Sequence, residues 1–184
     1  MEWFAQGIGS VGTALVIVSF QFRGRRLFVL QMMAALIFVF HFGLLGAYAG
    51  MAQNIMSMIR NGLLSLDGKK WARNPVWFWL LNISFVVCGV ITWQNWFSLL
   101  PIVAMISSTV AMWNKNGRNI RLAQLFVVSP CWITYNLSVF SISGVITESF
   151  NIVSILLSIA RFGWKGLNLV PQNEKRETLD TTKA

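Results

Sequence analysis

Apolar residues in this chain come in long blocks, not in alternation. Five blocks, near residues 4–22, 27–44, 76–93, 97–113 and 120–140, are each long enough to cross a hydrocarbon layer as a helix, which takes roughly 20 residues. Two further segments, 46–64 and 144–163, are apolar but interrupted by polar side chains. The interruptions are periodic. Asn54, Ser57 and Asn61 in one, and Asn151, Ser154 and Ser158 in the other, are three or four residues apart and so share one face of a helix. Both segments therefore read as helices with a polar stripe.

Charge separates five spans from seven. With seven helices, all fifteen Lys and Arg residues fall on one side of the membrane. Arg23, Arg25 and Arg26 follow the first helix, Arg60, Lys69, Lys70 and Arg73 surround the connection from the third to the fourth, and Lys115, Arg118 and Arg121 follow the fifth. Arg161 and Lys165 end the seventh, and Lys175, Arg176 and Lys183 lie beyond it. The loops near 41–48, 94–96 and 140–147 hold neither residue. Dropping one weak span would scatter these clusters over both faces. The positive-inside rule thus favours seven helices, the N-terminus outside and the C-terminus cytoplasmic.

The net charge of +9 accordingly expresses topology and attraction to anionic lipid, and no nucleic-acid partner is expected. With 55% hydrophobic residues and a mean hydropathy of +0.60, the expected solvent is the lipid bilayer. Tryptophans mark its borders: Trp3, Trp93 and Trp96 on the outer side, Trp71, Trp77, Trp79, Trp113 and Trp164 on the inner. Only Trp132 lies well inside a span. The N-terminus lacks the basic region of a secretory signal and is expected to remain as the first helix. Cys88 and Cys131 have no metal or redox spacing and read as small buried hydrophobes. Residues 166–184 are polar without an apolar face and read as a disordered cytoplasmic tail.

The chain also repeats itself. RGRRLFVLQ at Arg23–Gln31 parallels NGRNIRLAQ at Asn116–Gln124, with Gly24 over Gly117, Arg25 over Arg118 and Gln31 over Gln124. NIMSMIRN from Asn54 parallels NIVSILLS from Asn151, which sets Asn54, Ser57 and Asn61 over Asn151, Ser154 and Ser158. The organisation expected is an all-α membrane protein with seven transmembrane helices. Its domain over residues 1–165 would hold one three-helix unit (about 4–64), a linker helix (about 76–93) and a second unit (about 97–163). A single linker helix restores the direction of the chain, so the two three-helix bundles would be parallel, a 3-1-3 arrangement.

The stretches WFAQGIGSVG, HFGLLGAYAG, SLLPIVAMISSTVAMW and PCWITYN with SISGVITESFNIV resemble the YgjV family of bacterial inner-membrane proteins, over roughly residues 2–165. The resemblance implies a multi-pass protein of the bacterial inner membrane. More remotely, the 3-1-3 order is similar to the SWEET sugar facilitators and the PnuC vitamin transporters, which implies a central site between the bundles. SWEET-type proteins place asparagines on the third and seventh helices at the substrate pocket, and Asn54 and Asn151 are similarly placed. The likeness breaks at the helix-bending prolines: Pro101 and Pro130 lie in the second unit, and the first has none.

Two uses of the polar stripes stay open. Carboxamides in hydrocarbon need partners, which a solute or a neighbouring helix can supply. Under the first reading the chain is a facilitator for a neutral or weakly charged small polar solute, bound by Asn54, Ser57, Asn151 and Ser154 with Trp132 and Asn136. Under the second it is a membrane scaffold with a filled centre. Glu148, the only acid inside a span, marks an ion or substrate path and could carry a coupling proton, or else reaches interfacial water at its helix start. His41 reads as an interfacial belt residue, and Arg60 and Arg161 as side chains snorkelling to the cytoplasmic border. The small residues Ala5, Gly7, Gly9 and Gly12 allow close helix approach, within the bundle or in a homo-oligomer. No phosphate loop, nucleophile and base pair, carboxylate dyad or metal-ligand cluster occurs, so neither enzyme activity nor a cofactor is expected.

Overall fold

The computed structural model of the protein describes residues 2–20, 22, 24–66, 68–114 and 116–166. Among these there are seven long helices, two single 3-10 turns (Lys70–Arg73 and Trp96–Ser98) and no strand: α1 (Glu2–Ser19), α2 (Gly24–Leu44), α3 (Tyr48–Ser65), α4 (Val76–Ile91), α5 (Leu99–Trp113), α6 and α7 (Ile142–Gly166). α6 is continuous but built of three segments, Gly117–Ala123, a π-helical stretch Gln124–Val128, and Ser129–Ser138. Both segments with polar stripes are helices, as α3 and α7. Beyond Gly166, the expected tail lies outside the described residues.

The turns without Lys or Arg meet at one end of the molecule. Gln6 Nε2 in the first turn of α1 donates to the Phe140 carbonyl before α7 (2.7 Å), and Gln94 Nε2 after α4 donates to the Gly46 carbonyl between α2 and α3 (2.8 Å). His41, near the end of α2, bonds the Ala5 carbonyl oxygen (2.8 Å) and Ser141 Oγ (2.7 Å). Successive helices therefore alternate in direction, and the basic turns fall together at the opposite end. His41 is wholly buried, so it does not face lipid headgroups as the expected belt residue would. The reason is that α1 and the turn before α7 occupy both of its ring nitrogens.

Helix contacts close on themselves. α1 packs on α2, α2 on α3, α3 on α5, α5 on α6, α6 on α7, and α7 back on α1, while α4 lies outside against α3 and α5. The sequence of α4 explains its place. It buries only Leu81, Phe85 and Gly89, one narrow stripe at every fourth position, and exposes Ile83, Val86, Val87 and Val90. Gly89 lets it sit close: an added Cβ would meet the Ile102 side chain of α5 and, at 3.1 Å, Gln53 Nε2 of α3. Gln53, fully buried, donates that same Nε2 to the Phe85 carbonyl (2.9 Å). Gly89→Leu is expected to lower stability by about 1–3 kcal/mol through overpacking. Melting of the purified variant at the wild-type midpoint would show that α4 is not wedged there.

Among the described residues three helical stretches are long and apolar enough to cross a bilayer: Arg25–Leu44, Trp96–Trp113 and Ile142–Arg161. Trp3–Ser19 and Val76–Ile91 are apolar but shorter. The outer surface carries large exposed side chains such as Phe40, Val110, Phe126, Val153 and Leu157 on several helices, a continuous apolar exterior that water would not tolerate. Trp3 and Trp96 are strongly exposed near the end without basic turns, and Trp71 and Trp79 near the other. Pro101 falls in the first turn of α5, where a missing N–H is harmless. Pro130 follows the π-helical stretch, which widens the helix where the proline ring would otherwise press on the preceding turn.

Candidate functional site

Inside the closed circuit of α1, α2, α3, α5, α6 and α7 lies a cavity of about 430 Å³, to which α4 contributes nothing. All seven residues singled out from the sequence border it: Asn54 and Ser57 from α3, Trp132 and Asn136 from α6, and Glu148, Asn151 and Ser154 from α7. The matched positions of the internal repeat face it together. Gln31 and Gln124, Asn54 and Asn151, Ser57 and Ser154, and Asn61 and Ser158 all line the same space.

One polar cluster joins α6 to α7. Glu148 Oε2 accepts from Ser129 Oγ at 2.6 Å, Gln124 Nε2 at 3.1 Å and Asn151 Nδ2 at 3.2 Å. Gln124 Nε2 also reaches Ser129 Oγ at 3.0 Å. In a regular α-helix residues five apart point well away from each other; the wider π turn between Gln124 and Ser129 brings both onto one carboxylate oxygen. Glu148 is thus half-buried against the cavity wall, held by three side-chain donors.

The second cluster joins α3 to α5. Arg60 Nη1 donates to Ser108 Oγ and Thr109 Oγ1, each at 3.2 Å, and Nη2 to Ser57 Oγ at 3.3 Å. Its side chain is 5% exposed and its guanidinium carbon lies 5.9 Å from the centre of the Phe85 ring. The expectation that Arg60 snorkels outward is therefore wrong, because α5 offers two hydroxyls at its level and the cavity gives it room. Arg161, by contrast, is exposed.

Toward the end without basic turns the space is closed by aromatic rings. Phe42 stacks on Trp132 (centroids 5.9 Å apart), and Tyr135 packs on both. Tyr135 is fixed by the Gly50 N–H, which donates to its hydroxyl at 2.8 Å. At the other end the lining includes Phe20, Gln31, Met112, Ile120 and Arg121, the last of which donates to Ser158 Oγ at 3.1 Å. Three carboxamide oxygens on the wall, those of Asn61, Asn136 and Asn151, are buried without a partner. Such acceptors are rare in proteins unless something else supplies the donor. Among the described residues no three His, Cys, Asp or Glu side chains cluster as a metal site would require.

Sequence reasoning missed Arg60, Arg121, Gln31, Gln124 and Thr147 as lining residues. A signal existed for three of them. Gln31 and Gln124 are the matched ends of the first repeat, and Arg60 stands three residues after Ser57, on the edge of the same stripe.

A helical body with spans long and apolar enough for a bilayer, apolar outside and polar at its hollow centre, is that of an integral membrane protein. The chain belongs to the Imp-YgjV family, described as bacterial inner membrane protein, whose model matches residues 3–165. It is similar to Inner membrane protein YgjV of Escherichia coli (strain K12), 32% identical over 168 residues that cover 89% of this chain and 86% of that protein. No solved structure matches the chain.

Proposed function

We propose that the protein crosses the inner membrane seven times as two parallel three-helix bundles joined by α4, and that it is a facilitator for a small polar solute bound in the central cavity. The observation that carries this reading is the cavity itself, lined at equivalent positions by both halves of the repeat. A scaffold whose polar stripes only hold helices together would be filled at its centre. Here a cavity of about 430 Å³ is left, and Asn61, Asn136 and Asn151, which line it, each keep a carboxamide oxygen without a partner.

The basic end faces the cytoplasm in this reading, in keeping with the positive-inside rule. The Phe42, Trp132 and Tyr135 rings then close the outer side, and a solute enters from the cytoplasmic side past Gln31 and Arg121. Lipid is the surrounding partner, no chemical step is assigned to the site, and Gly9 and Gly12 serve packing inside the bundle.

The test is thermal stabilisation of the purified full chain by sugars, nucleosides, vitamins and organic acids. At least one compound should raise the melting midpoint, and Asn54→Ala and Asn151→Ala should each weaken its apparent affinity by about tenfold, the equivalent of about 1.4 kcal/mol. A panel without any effect on the wild type would sink the solute-site reading. An active compound indifferent to both substitutions would move the site elsewhere.

A further inference from the structure

We propose that the cavity takes a small organic acid, its carboxylate held by Arg60. The inference rests on the solute-site reading and names the class of molecule the site accepts. Arg60 is a guanidinium buried at membrane depth, and it remains charged in any protein environment. Among the described residues its bonds go only to the uncharged hydroxyls of Ser57, Ser108 and Thr109, and its Nε, also buried, has no partner there. A charge so placed ordinarily has a counter-charge beside it.

The chain has little to offer. Of its six acids, Glu2, Asp67, Glu174, Glu177 and Asp180 lie outside the apolar segments, and Glu148 is held on α7 by Ser129, Gln124 and Asn151. Arg60 comes twelve residues after Tyr48 in α3 and Glu148 six after Ile142 in α7. Both helices start at the same end, so at 1.5 Å per residue the two groups differ in depth by about 9 Å. The positive and negative ends of the cavity are thus separate, and the positive end is open to an anion from outside the chain.

A planar fork of N–H groups suits a carboxylate, which can take two of them at once. Asn61 and Asn151 also line the cavity, each with a buried carboxamide oxygen that lacks a partner, a group that accepts from a hydroxyl or amino group once a turn of the side chain brings it to one. A volume of about 430 Å³ lies in the lower part of the range of small-molecule sites, about 300–1,000 Å³. Together these features describe a small hydroxy- or amino-carboxylate. The carboxamides alone suggested a neutral solute; the inward turn of Arg60 changes that.

The test follows melting of the purified full chain in neutral detergent with lactate, malate and glutamate as carboxylates, inorganic phosphate as a second anion, glucose and erythritol as neutral solutes, and phosphatidylglycerol as an anionic lipid. A carboxylate should raise the midpoint, Arg60→Gln should weaken its apparent affinity by at least about tenfold, and Arg60→Lys should fall between. Should Arg60→Gln fail to fold, Arg60→Lys keeps the charge without the planar fork, and a carboxylate affinity that it leaves unchanged overturns the inference. Stabilisation by neutral solutes and no acid overturns the inference but leaves the solute site standing, whereas no effect from any solute removes both. Stabilisation by phosphate alone, by phosphatidylglycerol alone, or equally in Arg60→Gln also overturns it.

Discussion

Glu148→Leu is expected to give little or no monodisperse protein after extraction. The substitution leaves the Ser129 hydroxyl and the Gln124 and Asn151 amides without the oxygen to which all three now donate. An unsatisfied buried polar group costs about 1–3 kcal/mol, so losing all three partners takes away a large part of the few kcal/mol by which a domain is stable. Glu148→Gln separates hydrogen bonding from charge. Its amide oxygen still accepts from the same donors, but more weakly, since bonds to a charged acceptor contribute about 1.5–3 kcal/mol and neutral ones about 0.5–1.5 kcal/mol. The glutamine variant should therefore fold with a lowered midpoint. Size-exclusion profiles and melting of the two variants decide the matter; a leucine variant as stable as the wild type would mean that the cluster is not structural. Uptake measured across pH adds the functional half. If the carboxylate carries a coupling proton, uptake depends on pH in the wild type and loses that dependence in Glu148→Gln.

A comparable loss is expected from Gly9→Leu, for a steric reason. Where α1, α2 and α7 meet, an added Cβ at Gly9 would strike Ser143 Oγ and come within 2.7 Å of His41 Nδ1. Neither neighbour is free to move. His41 is held between the Ala5 carbonyl and Ser141 Oγ, and Ser143 donates both its N–H and its hydroxyl to Gln6 Oε1. Next to them Thr13 Oγ1 lies 2.7 Å from Thr147 Oγ1 and 3.1 Å from the Ser143 carbonyl oxygen. This is the seam that closes α7 back on α1. Forcing it open would cost more than the roughly 1–3 kcal/mol of ordinary overpacking, because hydrogen bonds break as well. Gly7→Leu is the control, since nothing lies within 4 Å of a Cβ there. Melting of the two variants side by side should show a large loss for Gly9 and almost none for Gly7; equal behaviour would dismiss the seam as the point of closure.

Much of the site was legible beforehand because helical periodicity determines which residues share a face. Asn54, Ser57 and Asn61 on α3, and Asn151, Ser154 and Ser158 on α7, could be grouped without knowing what the helices pack against. The direction in which those faces turn was not legible to the same degree. His41 could have met lipid headgroups as readily as the Ala5 carbonyl, which is 36 residues away in the chain. Gln124 and Ser129 would not be paired in an α-helix, and nothing in the local pattern announces a π turn.

From its sequence alone, then, the chain determines its helices, their alternation in direction, the gathering of its basic turns at one end, and a polar stripe on each of two helices. These properties follow from residue spacing and from a one-sided distribution of charge, which need no partner element. Tertiary structure decided the rest: that six helices close around a cavity with α4 outside, and that Arg60 turns inward. A long cation near a helix end has two solutions of comparable cost, the interface or a set of acceptors on a neighbour. The choice fell to Ser108 and Thr109, 48 and 49 residues further on, which become neighbours only when α5 packs on α3.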